Sequence, residues 1–194
     1  MEDYPGFEYN VEKAKALLAE AGYNGEEIVY RFPLNYYLLS TEAAQAMQQM
    51  WSQAGLNVKL EPVENWSQVR ATDGGHIRPW SNTHRMPDPL GSFVPQWGKL
   101  SGIQNNSRLE DRQWDAPAAF NDAQDVILTS TDWDQRQQPY REALDIWKDE
   151  APGTMLYNPL ETYAMRKDIT WKSYGLYYMD LRPYNPVSYT HLRA

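Results

Sequence analysis

The stretch YNVEKAKALLAEAGYNGEEIVYRF, residues 9–32, contains a complete change of hydrophobic period. Asn10 is a good N-cap, and Val11, Ala14, Leu17, Leu18 and Ala21 follow at helical spacing until Gly22. That pattern predicts an amphipathic helix closed by a glycine. After the turn residues Asn24 and Gly25, the apolar Ile28, Tyr30 and Phe32 alternate with other residues, the period of a strand with one buried face. The same order then repeats. Ser40 or Thr41 is placed to cap a second helix with the stripe Ala43, Met47, Met50, Trp51 and Ala54, ended by Gly55, and residues 56–64 read as a strand with Val58 and Leu60 inward. Helix followed by strand, twice over, points to an α/β layer architecture.

Downstream, a short helix from about residue 65 to 72, with Trp66 and Val69 on one side, leads through Gly74 and Gly75 to a third strand over residues 77–82. From its C-terminal end hangs SNTHRMPDPLGSF, residues 81–93. Prolines on both sides of Asp88 fix two φ angles and remove two donors, so neither helix nor central strand is expected through them. In open α/β sheets, ligands bind beyond the C-terminal strand ends, and that position raises the interest of this loop. Residues 99–117 show no period and read as loop. A helix over 115–128 follows, and then Asp132 with Gln135 resembles a capping box for a helix reaching Glu150, with the stripe Tyr140, Ala143, Leu144 and Trp147. Pro139 either kinks that helix or starts it. Residues 154–158 and 161–167 look like short strands.

With 42 % apolar and 23 % charged residues in 194, the chain has the balance of a soluble globular protein, one domain or one domain with part of another. No apolar run approaches the roughly 20 residues that cross a bilayer. A formal charge of −8 repels phosphate backbones and anionic headgroups, which makes nucleic acid a poor partner. The absence of cysteine removes disulfides, thiolate metal sites and a thiol nucleophile. The first ten residues lack the apolar core of a signal peptide. Eight Trp and 14 Tyr suit a protein that grips small molecules or sugars, though such side chains also fill cores.

Motifs for chemistry are sparse. His76, His84 and His191 stand apart, and His84 with Asp88 is the only short pairing of metal-ligand type. A solvated loop explains it more simply, so no metal and no cofactor are expected. Neither the glycine frame of a phosphate cradle nor a serine nucleophile elbow occurs. Asp88 with Glu61 or Glu64 could supply the two carboxyl groups, roughly 5–10 Å apart, that a glycosidase needs. Both glutamates are better explained as solvation of a strand-to-helix turn.

Three stretches together resemble one family. An aromatic residue followed by NVEKAKALLAEAGY (10–23), then AAQAMQQMWSQAGLNVKLEPVE (43–64), then STDWDQRQQPYREALDIWKDEAPGTMLYNP (130–159) are similar to the extracytoplasmic solute-binding proteins of family 5, the oligopeptide, dipeptide, nickel and opine class. The resemblance runs over most of residues 8–166 and implies a two-lobe periplasmic binding fold of type II that closes on a solute and docks on an ABC transporter permease. The matching motifs belong to the second lobe. The implied layout is a C-terminal ligand-binding lobe over 1–152, a segment over 153–186 returning to a first lobe outside this sequence, and a non-native tail over 187–194. Leu156, Tyr157, Tyr163, Met165 and Trp171 would then lack the sheet they join, leaving an exposed apolar patch. A periplasmic or extracellular, monomeric, non-enzymatic protein with a small-molecule ligand is expected. The alternative is a carbohydrate-active hydrolase using Asp88 and Glu64.

The resemblance also implies a site. Peptide-binding members carry an ammonium-binding aspartate four residues before the proline of an acidic-Pro pair, and counted back from Pro89 that position is Arg85. A peptide N-terminus there would meet a like charge, whereas the guanidinium fork suits a carboxylate. The expected ligand therefore bears an anionic or hydroxyl-rich group, as an opine, an acidic sugar conjugate or an oligosaccharide does. Expected site residues are Arg85 on the ligand, Trp80 and Trp97 stacking, Asn82, Asp88 orienting Arg85, and Arg78.

Overall fold

The computed structural model describes residues 4–70, 74–83, 86, 88–105, 113–158, 160, 162–173 and 188–189. The chain divides into two compact units, one of Pro5–Ser81 and one of Asn82–Ala194 with the first four residues.

In the Pro5–Ser81 unit, α1 (Val11–Glu20) starts where Asn10 accepts a hydrogen bond from the Lys13 N–H at 2.9 Å, which satisfies one of the donors a helix N-terminus leaves open. Its apolar stripe is only half-covered, and Leu17 is exposed. Strand β1 (Ile28–Pro33), helix α2 (Ser40–Ala54) and strand β2 (Val58–Val63) form a parallel β-α-β unit with Ile28 opposite Val58 and Pro33 opposite Val63. Parallel pairing requires such a crossover, which α2 provides. Tyr30, Phe32, Ala44 and Val58 make the buried core, backed by Met47, Trp51 and Leu60. The start of α2 differs from expectation. Ser40 is the first helical residue, not the cap, and its hydroxyl accepts a hydrogen bond from the Tyr36 N–H. Leu39 precedes it in the left-handed region at φ 60°, a strained place for a branched side chain. Gly55 ends the helix at φ 100°, where glycine has no Cβ to clash.

The third strand shrinks to a single parallel bridge between Tyr30 and Ile77. Arg31 N–H donates to the Ile77 carbonyl and Ile77 N–H to that of Val29, after which Pro79 has no donor to offer. The edge is extended instead by a side chain: Val29 N–H donates to His76 Nδ1 at 2.9 Å. Helix α3 (Trp66–Val69) is shorter than expected. It opens on a full capping box, with Asn65 accepting from the Ser67 and Gln68 N–H groups and the Gln68 side chain accepting in return from Asn65.

The second unit is helical at its centre. Helix α4 (Leu90–Trp97) follows Pro89 directly, α5 is Ala118–Thr129 and α6 is Trp133–Glu150. The sequence reading contains no α4. Proline is tolerated in a first turn, where its missing donor is not needed. Asp132 caps α6 through the Asp134 N–H, but Gln135 accepts from Ser130 rather than closing a box. Pro139 lies within α6, which continues through it. Helices α5 and α6 pack on each other around Trp97, Trp114, Phe120, Ala123, Ala143 and Trp147, with Phe93, Ile103 and Ile146 at the margin. Residues 154–158 and the described part of 161–167 form no strand. Alternating residues define a face, but a strand needs a backbone partner. Met155, Leu156, Tyr157, Leu160, Tyr163 and Met165 are exposed, while Trp171 is half-buried. Two-residue strands β3 (Ile169–Thr170) and β4 (Ser188–Tyr189) pair antiparallel with each other.

Candidate functional site

Arg78 and Trp80 belong to the first unit. Arg78 stacks its guanidinium 4.7 Å from the Trp80 ring centroid, and Arg70 approaches the same ring at 5.8 Å and Trp66 at 6.0 Å. Trp66 meets Trp80 edge-on at 5.5 Å and Tyr36 at 4.6 Å. The Tyr36 hydroxyl lies 2.6 Å from Ser81 Oγ and accepts from the Ser81 N–H at 3.2 Å. These contacts fix the segment leaving Ile77, yet Trp80 remains 44 % exposed. Burial, and then the positive charge of Arg70, lower the pKa of Arg78. The result is an aromatic surface flanked by two cations, suited to stacking a flat or polar solute. Arg70, Trp66 and Tyr36 were not singled out by sequence, because their convergence depends on the turn into α3.

Asn82, Asp88 and Trp97 belong to the second unit. Asn82 Nδ2 donates to the Ser92 carbonyl at 3.2 Å. Asp88 Oδ1 accepts from the Leu90 N–H at 2.9 Å, capping α4 with a negative charge where the helix dipole favours one. The same carboxylate takes both prongs of a guanidinium from α6: Arg136 Nη1 donates to Oδ2 at 2.8 Å and Nη2 to Oδ1 at 2.7 Å. The Tyr140 hydroxyl accepts from Arg136 Nη2 at 3.0 Å and donates to Asp88 Oδ1 at 3.4 Å. Trp133 and Tyr140 present their rings to the Arg136 guanidinium at 5.8 and 5.4 Å.

These bonds hold the Asp88 carboxyl down at about 2, chiefly through the Arg136 side chain. Arg136 rises in turn because Asp88 binds it, and burial pushes the Tyr140 hydroxyl up to about 12. Asp88 therefore stays ionised at neutral pH and cannot donate a proton as a glycosidase acid must. Glu64 is exposed beside the capping box of α3, its N–H bonded to Gln68. The hydrolase alternative gains nothing from either residue. Among the described residues no group of three His, Asp or Glu side chains is placed to hold a metal ion, and no helix is long and apolar enough to cross a membrane.

Trp97, expected to stack on a ligand, is a core residue only 8 % exposed, packed against Trp147 at 5.3 Å and Trp114 at 6.0 Å. Arg85, together with His84 and Pro87, lies outside the described residues. The partner the structure gives Asp88 is Arg136, which the sequence reading passed over. A signal was present: Arg136 stands on the stripe of Tyr140, Ala143 and Trp147, at the spacing of a buried face.

The folds that this arrangement matches are those of periplasmic binding proteins. Solved structures similar to the chain include the periplasmic binding protein DppA from Helicobacter pylori in complex with the peptide STSA (TM-score 0.60, 23 % identity, 77 % of this chain and 29 % of that one). HbpA2 from Haemophilus parasuis is similar at TM-score 0.60 and 26 % identity, over 78 % of this chain and 30 % of that one. The substrate-binding protein CtaP from Listeria monocytogenes matches at TM-score 0.63 and 16 % identity, over 78 % and 30 %. The family of bacterial extracellular solute-binding proteins, family 5 Middle, matches residues 1–102, and the chain belongs to that family, a family of transport components rather than enzymes. Its curated relatives include the di/tripeptide-binding protein 2 of Pseudomonas aeruginosa (strain UCBPP-PA14), 27 % identical over 87 % of this chain. The dipeptide-binding protein of Escherichia coli (strain K12) is 25 % identical over 87 % of this chain. The chain spans 31 and 32 % of the length of these two relatives.

Proposed function

We propose that the chain is part of the solute-binding component of an ABC import system, which captures a short peptide or peptide-like solute outside the cytoplasm and delivers it to a membrane permease. The observation that carries this reading is membership of family 5, and two relatives named for di- and tripeptide binding support it. The half-exposed Trp80, flanked by Arg70 and Arg78, is the surface best suited to stack on such a solute. Trp97 is left out of the ligand set because its ring is in the core.

The finer reading concerns charge. Arg85, in the position where peptide binders of the family carry an ammonium-binding aspartate, favours a solute bearing a carboxylate or many hydroxyls, as an opine does. Calorimetric titration of the protein in its natural full length with dialanine and with an acidic opine tests both levels. Binding of the opine at least about tenfold tighter than dialanine is expected. Tighter dialanine binding would overturn the role given to Arg85, and no heat with either ligand, or with a di- and tripeptide panel, would overturn the solute-binding reading itself.

A further inference from the structure

We infer that Arg136, which lies outside the residues expected at the solute site, is a positioning residue that acts through Asp88 to hold the first turn of α4, and with it Asn82 and Met86, in place for solute binding. The inference rests on the solute-binding reading above. Three described residues of the preceding segment are tied to the first turn of α4. Asn82 donates to the Ser92 carbonyl, and Asp88 accepts from the Leu90 N–H. Met86 packs so tightly on Gly91 that a Cβ there would stand 2.7 Å from Met86 Cγ and 2.8 Å from its nitrogen.

Helix α4 is itself a short element, and no strand ladder attaches it to the rest of its unit. Phe93 and Trp97 supply apolar contact, Phe93 with its ring 5.6 Å from Phe120 and 6.1 Å from Tyr140, and Trp97 with its ring 5.3 Å from Trp147. Such contacts let a helix slide or turn by small amounts, whereas two parallel guanidinium bonds fix the carboxylate in plane and direction. Arg136 is 5 % exposed and bridges a sequence gap of 48 residues to reach Asp88. A buried ion pair contributes little net stability over a well-packed apolar pair of similar size. What it contributes here is orientation: the Arg136 fork, flanked by Trp133 and Tyr140, dictates where Asp88 stands, and Asp88, through the Leu90 N–H, dictates where α4 begins.

The test compares wild type with Arg136→Met, Arg136→Lys and Asp88→Asn in the full-length protein, using trialanine as the probe. Amide hydrogen exchange is followed in residues 82–90 and, separately, across α5 and α6. In Arg136→Met, exchange over 82–90 is expected to rise about tenfold more than any rise across α5 and α6, and trialanine affinity is expected to fall about tenfold. Arg136→Lys, which keeps charge but loses the fork, should fall between, and Asp88→Asn should follow Arg136→Met. If Arg136→Met does not fold, the lysine and asparagine variants carry the comparison. Exchange rising equally across α5 and α6, or affinity within about twofold of wild type, overturns the inference. Failure of wild type to bind trialanine, any other di- or tripeptide and the acidic opine overturns the solute-binding reading instead, and the exchange data still decide whether Arg136 holds the start of α4.

Discussion

Each unit buries one arginine among the described residues, and the two are held by different means. Arg31 sits in β1 opposite Glu61 of β2 in the parallel register, and its Nε donates to Glu61 at 2.7 Å. The ladder has already placed the two residues side by side, so the ion pair follows from the sheet. Arg136 meets Asp88 through two bonds across elements that share no ladder, so there the ion pair does the placing. Glu61 has a 37 % exposed side chain and Asp88 a 31 % exposed one, similar access to water, which leaves backbone support as the main contrast. Where the backbone fixes geometry, a charged pair is replaceable; where it does not, the pair carries positional information.

The largest expected effect separates these two cases directly. Arg136→Met should cost about 3 kcal/mol, because it leaves Asp88 partly buried without its cation. Arg31→Met should cost about 1 kcal/mol, the size of a cross-strand pair whose remaining carboxylate can still be hydrated. Urea unfolding of the two variants measures both losses, and equal losses would break the contrast.

A smaller effect is expected from acid. The Asp88 carboxyl is held at about 2, below the ordinary value near 3.9 for aspartate. A depressed folded-state value means that the pair stabilises fully above pH about 4 and that this contribution is lost as pH falls through about 2. Urea midpoints measured from pH 6 down to 2 should show this decline, and Asp88→Asn should remove it. A slope that survives the substitution would assign the acid sensitivity elsewhere. The smallest effect concerns the first unit alone: Asn65→Ala breaks the capping box of α3 and should cost about 1 kcal/mol, read as a shift in thermal unfolding.

Sequence carried the first unit well, because α1, β1, α2 and β2 each announce their period over several residues and the two longer helices stop at Gly22 and Gly55. It carried α5 and α6 for the same reason. Helix α4 was illegible since Pro89, Gly91 and Pro95 all count as breakers locally, yet Pro89 stands at the N-cap, where no donor is needed, and Gly91 is required by the closeness of Met86. The strands expected at 154–158 and 161–167 failed for a different reason, as alternation says which way side chains face but not which backbone they pair with. Among the expected site residues, the placement of Trp80 at the surface was legible from its position just beyond Ile77. Trp97 was not, because an aromatic residue in a glycine- and proline-rich stretch looks the same whether it faces a ligand or a core. Arg136 shows the limit most clearly. A cation on an apolar stripe implies a buried acidic partner, but only tertiary structure says which acid.

His76, which completes the edge of β1 in place of a backbone carbonyl, has a consequence for its own ring. Because Nδ1 accepts the Val29 N–H, the neutral imidazole must carry its proton on Nε2. A surface histidine is thereby committed to one tautomer by the sheet it borders, and nitrogen chemical shifts of that ring would report directly on whether the chain after Gly75 is docked.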